Sequence, residues 1–362
     1  MQPFSAKFSS PNVYSGSGRR IPQLDGLRAV AFFSVFFWHG FRIPDKLVLW
    51  AGVDLFFVLS GFLITGILLS SEQRPLSKYF GRFYARRARR ILPPYAMAAI
   101  LAAALFPVAL REEWPWYVFF SSNIGQALGA NIPAPMTTFW SLAVEEQFYL
   151  LWPLVVVACP AKTLRRVAVA GLFLVPVCRA LCSHWLSVSG AIFLLTPFRL
   201  DLLLAGAFLA VLWREHGAIP HALQRLCLPI MGATVAIYGA LCCFPGFERD
   251  SGSVLFDGIG YSLILVFCAA LLTYVLALTP GGLFYRFLTF GPVAYLGRIS
   301  YMLYLVHSTF IMASVKYFNR YGHFLSRFLA LGGTILVASV SWHLIEKRLI
   351  RAQPRIRVVA SQ

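Results

Sequence analysis

Ten apolar stretches, each long enough to cross about 30 Å of hydrocarbon, dominate this chain of 362 residues. A helix rises about 1.5 Å per residue, so that distance takes about 20 apolar residues in succession. The stretches occupy residues 27–43, 48–70, 92–110, 139–159, 167–186, 192–213, 226–245, 254–278, 292–315 and 326–350. The sequence therefore predicts an all-α polytopic membrane protein with about ten transmembrane helices.

The basic residues lie mainly in the short connections between these stretches, although the formal net charge of +18 would suggest nucleic-acid binding in a soluble chain. Alternate connections are rich in Lys and Arg, as cytoplasmic loops are. They include "RPLSKYFGRFYARRARR" (74–90), "KTLRR" (162–166), "WREHG" (213–217) and "EKRLIRAQPRIR" (346–357). This pattern predicts that both termini are cytoplasmic, and it argues against nucleic acid as a partner.

The same pass along the chain predicts a single membrane domain over residues 24–350, with a polar cytoplasmic tail at 1–23 and a basic cytoplasmic tail at 351–362. The aromatic stretch "WPWYVFFSSNIGQALGANIPAP" (114–135) is interrupted by Gly and Pro, which favours an interfacial or re-entrant element over a further span. The seven cysteines show no CxxC pair and no regular spacing. Because metal ligands cluster at recognisable intervals, no metal site is predicted.

Ionisable and hydroxyl side chains inside the apolar stretches are the next signal, because each charge in hydrocarbon costs several kcal/mol unless it faces the protein interior, water or a partner. Arg28 and His39 are eleven residues apart, which is about three helical turns, so they share one helix face about 16 Å apart. The other candidates are Asp54, Ser60, Glu145, Glu146, Arg199, Ser300, Tyr304 and His307, the last three on one stripe at i, i+4 and i+7. Glu145 and Glu146 are adjacent on a helix and about 100° apart, so one can face the bundle while the other reaches the interface.

Two interpretations of these groups stay open at this point. In the first, His39, Glu145, Arg199 and His307 share the outer half of the membrane, where a carboxylate beside an imidazole would activate a hydroxyl acceptor. In the second, they are helix-to-helix hydrogen-bonding residues, and Asp54 complements the dipole of its helix. Arg199 and Asp201 lie on nearly opposite faces and are not each other's partner, so Arg199 is expected to hold an anion or a carboxylate.

A dense basic segment follows the second apolar stretch. Six basic residues fall within thirteen positions, namely Lys78, Arg82, Arg86, Arg87, Arg89 and Arg90. Guanidinium groups bind phosphate in a bidentate manner, so the segment suits a phosphorylated ligand. The alternative is that it sets membrane orientation and attracts anionic lipid.

Six motifs, in order, resemble the membrane-bound acyltransferase 3 family of O-antigen, exopolysaccharide, nodulation-factor and peptidoglycan O-acetyltransferases. The resemblance runs from Asp25 to about Glu346 and includes an Arg-x10-His spacing at Arg28 and His39. The motifs are "LDGLRAVAFFSVFFWH", "GVDLFFVLSGFLIT", "RFYARRARRILPPY", "FWSLAVEEQFYLLWP", "FRLDLLLAGA" and "YLGRISYMLYLVH".

The resemblance implies transfer of an acyl group, usually acetyl, from cytoplasmic acyl-CoA to a carbohydrate hydroxyl at the outer face of a bacterial inner membrane. It implies no permanently bound cofactor, with acetyl-CoA as the donor substrate. It further implies that His39 is the essential histidine, Arg28 its motif arginine and Glu145 an acidic partner. The implied donor-phosphate site comprises Arg82, Arg86, Arg87, Arg89 and Arg90. Residues expected to support substrate or structure are Asp25, Asp54, Ser60, Arg199, Ser300, Tyr304 and His307.

On this reading His39 either deprotonates the sugar hydroxyl or carries the acyl group transiently, and Glu145 orients its ring. Arg28, Ser300 or Tyr304 would stabilise the tetrahedral oxyanion. Short outer connections favour a lipid-linked acceptor at the membrane surface. A transporter or flippase of a lipid-linked glycan is the alternative, and it predicts internal repeats and paired broken helices. A non-catalytic scaffold is a third reading, which the number of buried ionisable groups disfavours.

Overall fold

The computed structural model describes residues 21–71, 75–106, 110–183, 190–249 and 253–351. Within these ranges every regular element is a helix and no strand occurs, in agreement with the predicted all-α class. The predicted tails, 1–23 and 351–362, lie almost wholly outside the described residues.

Sixteen α-helices follow one another along the described parts of the chain. The first eight are α1 Pro22–Phe41, α2 Gly52–Leu69, α3 Leu76–Leu105, α4 Leu110–Val118, α5 Ser122–Ala127, α6 Phe139–Ala158, α7 Ala161–Ser183 and α8 Ala191–Leu194. The others are α9 Leu200–His216, α10 His221–Leu241, α11 Tyr261–Leu276, α12 Leu283–Thr289, α13 Gly291–Arg298, α14 Ser300–Phe318, α15 His323–Ser341 and α16 Lys347–Arg351. Short 3-10 helices lie at Asp45–Leu47, Leu49–Ala51, Ala134–Met136, Thr196–Phe198 and Asn319–Tyr321, and π-helical turns at Phe256–Gly260 and Trp342–Glu346.

Six helical segments in the described residues are long and apolar enough to cross a membrane, and they make this a membrane protein. They are Leu49–Leu69, Phe139–Ala158, Ala161–Ser183, His221–Leu241, Phe256–Leu276 and His323–Leu349. The most apolar window of the Leu49–Leu69 segment is 83% buried, whereas that of the His221–Leu241 segment is only 11% buried. The second helix therefore lies at the centre of the bundle, and α10 lies at its rim.

Two of the ten predicted stretches are not continuous helices. The stretch 192–213 breaks between α8 and α9, where Thr196–Phe198 forms a 3-10 turn and Arg199 begins the next helix. The helix is interrupted there, because Pro197 lacks the N–H that a continuous helix needs. The stretch 292–315 is divided at Ile299, between α13 and α14. The aromatic stretch 114–135 forms the short helices α4 and α5, which are not a further span.

Close backbone contact between α2 and α9 forms the core of the bundle. Gly61 of α2 faces Leu203, and a Cβ on Gly61 would overlap the Leu203 carbonyl oxygen. In the same way, a Cβ on Gly206 of α9 would overlap the Val58 carbonyl. Small residues at helix interfaces allow this approach in membrane proteins. The Ser-Gly-Phe motif that contains Gly61 is therefore explained by helix packing.

Two buried ion pairs join α2, α7 and α9. Arg199 pairs with Asp54, and Arg179 Nη1 lies 2.7 Å from Asp201 Oδ2, with all four side chains at most 1% exposed. Arg199 thus holds a carboxylate, and Asp201 is the partner of a different arginine, as the helix geometry predicted. Asp54 neutralises this arginine instead of only complementing its helix dipole.

Candidate active site

Two histidines from opposite ends of the sequence meet inside the bundle. His39 lies in the last turn of α1, and His307 lies in α14 with its side chain fully buried. The His307 Nε2 atom lies 3.1 Å from His39 Nδ1, and the ring centroids are 5.1 Å apart. This is hydrogen-bonding distance, so the two imidazoles form one unit.

The hydrogen-bond network assigns the tautomers of this pair. His307 Nδ1 lies 2.5 Å from the Tyr304 carbonyl oxygen, which can only accept a hydrogen bond. His307 therefore carries its hydrogen on Nδ1, and as a neutral buried ring it presents a lone pair on Nε2. The hydrogen in the contact then belongs to His39 Nδ1, which leaves His39 Nε2 with a free lone pair. A base or nucleophile needs such a nitrogen.

A small cavity lies between α1, α2, α6 and α14, and one of its walls is Tyr304, whose ring centroid lies 5.3 Å from that of His307. It has a volume of about 40 Å³, and its polar lining residues include Arg28, Ser141, Glu145, Ser300 and Tyr304. The Tyr304 hydroxyl lies 2.7 Å from Ser141 Oγ and donates to the Thr138 carbonyl. The predicted oxyanion donors thus share one enclosed space with the predicted acidic residue.

Glu145 has a different partner from the one expected for it. The sequence suggested that it orients the His39 ring, but the structure pairs His39 with His307. Glu145 instead accepts a hydrogen bond of 3.2 Å from the Tyr149 hydroxyl, which also contacts Ser60 Oγ. The reason is helix geometry: Tyr149 follows Glu145 by four residues and occupies the same face of α6.

The basic segment forms the first half of α3, and its arginines separate into two groups. Arg82, Arg86 and Arg87 line a cavity of about 80 Å³ with Ser71 and Tyr79. The Arg87 guanidinium lies 5.6 Å from the centroid of the Tyr149 ring. A cavity with three guanidinium groups thus adjoins the Tyr149–Glu145 contact through one side chain.

Arg89 and Arg90 do not line that cavity. Arg89 is exposed, whereas Arg90 lies within electrostatic range of Arg28 and Glu346. Burial, followed by the positive charges of Arg28 and Arg87, lowers the pKa of Arg90 to about 10. Arg90 therefore keeps its charge at neutral pH, between the basic cavity and the Arg28–Glu145 cavity.

Three of the predicted supporting residues lie away from these cavities. Asp54 and Arg199 form the ion pair between α2 and α9, so their position indicates a structural role. Asp25 lies in the first turn of α1, where its backbone abuts Gly297 of α13. Ser60 and Ser300, in contrast, lie at the polar interior through their contacts with Tyr149 and the small cavity.

Several functional candidates were not found from the sequence. Arg179 lies in a predicted span, so its charge was a signal that could have identified it. Tyr149 and Ser141 lie four residues to either side of Glu145, and the helical period could have grouped all three. Trp38 and Arg249 are different, because their importance comes only from their contacts in the folded protein.

The fold and the site define the class of this protein as a helical membrane protein with a histidine pair in its interior. Comparison with known sequences identifies its family. Residues 21–345 match the sequence profile of a family described as an acyltransferase domain. The chain therefore belongs to the acyltransferase 3 family. This confirms the resemblance drawn from the six motifs.

Curated relatives are 28–32% identical to this chain over their matched parts. It is 32% identical to the putative peptidoglycan O-acetyltransferase YrhL of Bacillus subtilis, over 91% of this chain and 55% of the relative. It is 28% identical to O-acetyltransferase OatA of Staphylococcus aureus and to peptidoglycan O-acetyltransferase OatA of Listeria monocytogenes, covering 57% and 56% of those proteins. The chain thus spans about half the length of these relatives. No solved structure matches it.

Proposed function

We propose that this protein transfers an acetyl group from acetyl-CoA to a hydroxyl of a cell-surface glycan, at the inner membrane of a bacterium. The names of its relatives support the glycan and the acetyl group, since they describe O-acetyltransferases of peptidoglycan or of an unstated acceptor. Acetyl-CoA is the proposed donor because it carries both an activated acyl group and phosphates for the basic cavity.

A continuous polar path through the bundle carries the proposal. Arg87 of the basic cavity contacts the Tyr149 ring, and the Tyr149 hydroxyl reaches Glu145. Glu145 lines a cavity with Tyr304, whose carbonyl fixes His307 against His39. A donor bound by its phosphates at one end and a histidine with a free lone pair at the other match the two halves of an acyl transfer.

The proposed chemistry balances without a metal or a redox partner. The acceptor hydroxyl oxygen bonds to the thioester carbonyl carbon, the carbon–sulfur bond breaks, and the hydroxyl proton leaves through His39 Nε2 to the CoA thiolate. In the covalent variant, His39 Nε2 bonds to the thioester carbonyl carbon and the carbon–sulfur bond breaks to release the CoA thiolate. The acceptor hydroxyl oxygen then bonds to the same carbon, the carbon–nitrogen bond breaks to restore the imidazole, and the hydroxyl proton passes to the thiolate. In either variant, Arg28 is the candidate donor to the oxyanion.

The test is incorporation of radiolabelled acetyl groups from acetyl-CoA into membrane glycan, in inverted vesicles with matched protein levels. We expect His39→Ala to lower the rate about 100-fold or more, as the loss of a general base or nucleophile does. His343→Ala is the control, since His343 is exposed on another helix of the bundle, and it should retain the wild-type rate. No labelled glycan with the wild-type protein, or equal labelling with His39→Ala, would refute the proposal.

Trapping distinguishes the two variants. With acetyl-CoA and no acceptor, the covalent variant predicts label on the wild-type protein that neutral hydroxylamine removes and that His39→Ala lacks. The general-base variant predicts unlabelled protein that is fully active when the acceptor is added.

A further inference from the structure

A polar cavity lies beyond the C-terminal end of α1, the helix that carries His39. It has a volume of about 380 Å³, and its walls combine carboxylates, cations and aromatic rings. The residues are Pro44, Asp45, Lys46, Tyr238, Phe247, Glu248, Arg249 and Phe256. Lys46 Nζ lies 3.6 Å from Glu248 Oε1 and Arg249 Nη2 lies 3.1 Å from Asp45 Oδ2, so opposite charges are matched. A neutral polyhydroxyl group suits such walls better than a phosphate does, because no cation is in excess.

A single aromatic ring connects this polar cavity with His39. The Trp38 indole N–H donates to Asp45 Oδ1 over 2.7 Å, and the Arg249 guanidinium lies 5.0 Å from the centroid of the Trp38 ring. The Trp38 ring also contacts His39, since the two ring centroids lie 4.4 Å apart. A sugar in the polar cavity would thus be separated from His39 by the Trp38 ring.

A larger, mainly apolar groove adjoins the polar cavity. Its volume is about 550 Å³, and it lies between α1, α2, α10 and α11, with walls such as Val30, Leu55, Val235 and Leu271. The groove and the polar cavity are adjacent, because both are lined by Lys46 and Tyr238. The groove has the chemistry of a site for a hydrocarbon chain, because apolar walls gain free energy when they are covered by apolar groups.

We propose that the groove and the polar cavity together bind the acceptor as a glycolipid, with its hydrocarbon tail in the groove and its sugar in the polar cavity beside Trp38. This inference rests on the proposed glycan acetylation. One amphiphile fills both spaces, whereas a free sugar fills only the polar cavity. The groove contributes affinity, and the polar cavity selects a sugar head over other polar heads.

The chain offers a matched pair of variants for a test. Gly239 lines the groove, Gly232 lies on the same helix outside it, and a Cβ at either position would meet no atom within 4 Å. Gly239→Trp places a bulky ring in the groove, and Gly232→Trp adds the same ring elsewhere on α10. Gly239→Leu and Gly232→Leu give a smaller obstruction, with correspondingly smaller demands on folding.

The probe is dodecyl β-glucoside with a photoreactive diazirine at the end of its chain, bound to the full chain in lipid nanodiscs and mapped by mass spectrometry. We expect labelled peptides within 234–242 and 263–271. Labelling should fall about fivefold or more in Gly239→Trp, by less in Gly239→Leu, and not at all in the Gly232 variants. Unmodified dodecyl β-glucoside should compete about tenfold better than dodecylphosphocholine or methyl β-glucoside, since only it has both halves.

Three results would overturn the inference. Labelling spread over all the spans, or unchanged by Gly239→Trp, would remove the groove as the tail site. If dodecylphosphocholine competed equally well, the groove would bind a hydrocarbon chain without selecting a sugar head. If methyl β-glucoside competed equally well, the polar cavity would bind a sugar without a contribution from the tail. Because this assay contains no acetyl-CoA, its failure is separate from a failure of the proposed transfer reaction.

Discussion

His307 holds His39 in one tautomer: its Nε2 accepts from His39 Nδ1 over 3.1 Å, while its own Nδ1 donates to the Tyr304 carbonyl. The Tyr304 carbonyl places the His307 hydrogen on Nδ1, and the His307 Nε2 lone pair then accepts the hydrogen of His39 Nδ1. The fully buried His307 is therefore a positioning residue for His39.

Removing this partner should lower the rate of acyl transfer more than it lowers donor binding. We expect His307→Leu to reduce kcat about 10- to 100-fold with little change in KM for acetyl-CoA. Without His307, His39 can carry its hydrogen on Nε2 and then has no lone pair there, whereas the basic cavity that binds acetyl-CoA is unchanged. His307→Gln supplies an amide oxygen that accepts from His39 Nδ1, so it should recover part of the loss. Initial rates in vesicles at a series of acetyl-CoA concentrations measure kcat and KM for each variant. Equal rates for the Leu and Gln variants would show that His307 serves only for packing.

The basic cavity makes a separate prediction about the donor. Arg86→Ala removes one of three guanidinium groups that line it, so KM for acetyl-CoA should rise about tenfold. The rate with S-acetylpantetheine, which lacks the nucleotide phosphates, should not change. Arg225→Ala is the control, since Arg225 is exposed and lies on another helix. A proportional loss with both donors would mean that Arg86 acts on the fold or on the reacting end.

The buried pair of Asp54 and Arg199 should contribute to stability. Arg199→Met leaves the Asp54 carboxylate buried without its partner, so we expect a loss of about 3–5 kcal/mol. The double variant Asp54→Asn/Arg199→Met removes both charges and should recover much of that loss. Thermal unfolding in detergent, followed by size-exclusion chromatography, measures the difference. A double variant less stable than Arg199→Met would contradict a simple charge-pairing role.

Helical periodicity predicted which helix faces carry the polar residues. Which residues of other helices they contact could be read only from the structure. The stripe of Ser300, Tyr304 and His307 was predictable because it repeats within one helix. The contact between His39 and His307 was not, because 268 residues separate them and no local pattern encodes which helices are adjacent. For the same reason Glu145 was predicted to contact His39, although its hydrogen-bond partner is Tyr149 on its own helix.

Glycine packing between α2 and α9 gives the last prediction. Gly61→Ala adds a methyl group that overlaps the Leu203 carbonyl, and Gly206→Ala overlaps the Val58 carbonyl, so both should separate the helices and reduce the yield of folded protein. Gly232→Ala adds the same methyl group where no atom lies within 4 Å, so it should instead stabilise its helix by about 0.5–1 kcal/mol. Fluorescence-detected size-exclusion chromatography after graded heating ranks the three variants. If Gly61→Ala matched Gly232→Ala in melting temperature, the two backbones would not be in contact, and the central position of α2 would need another explanation.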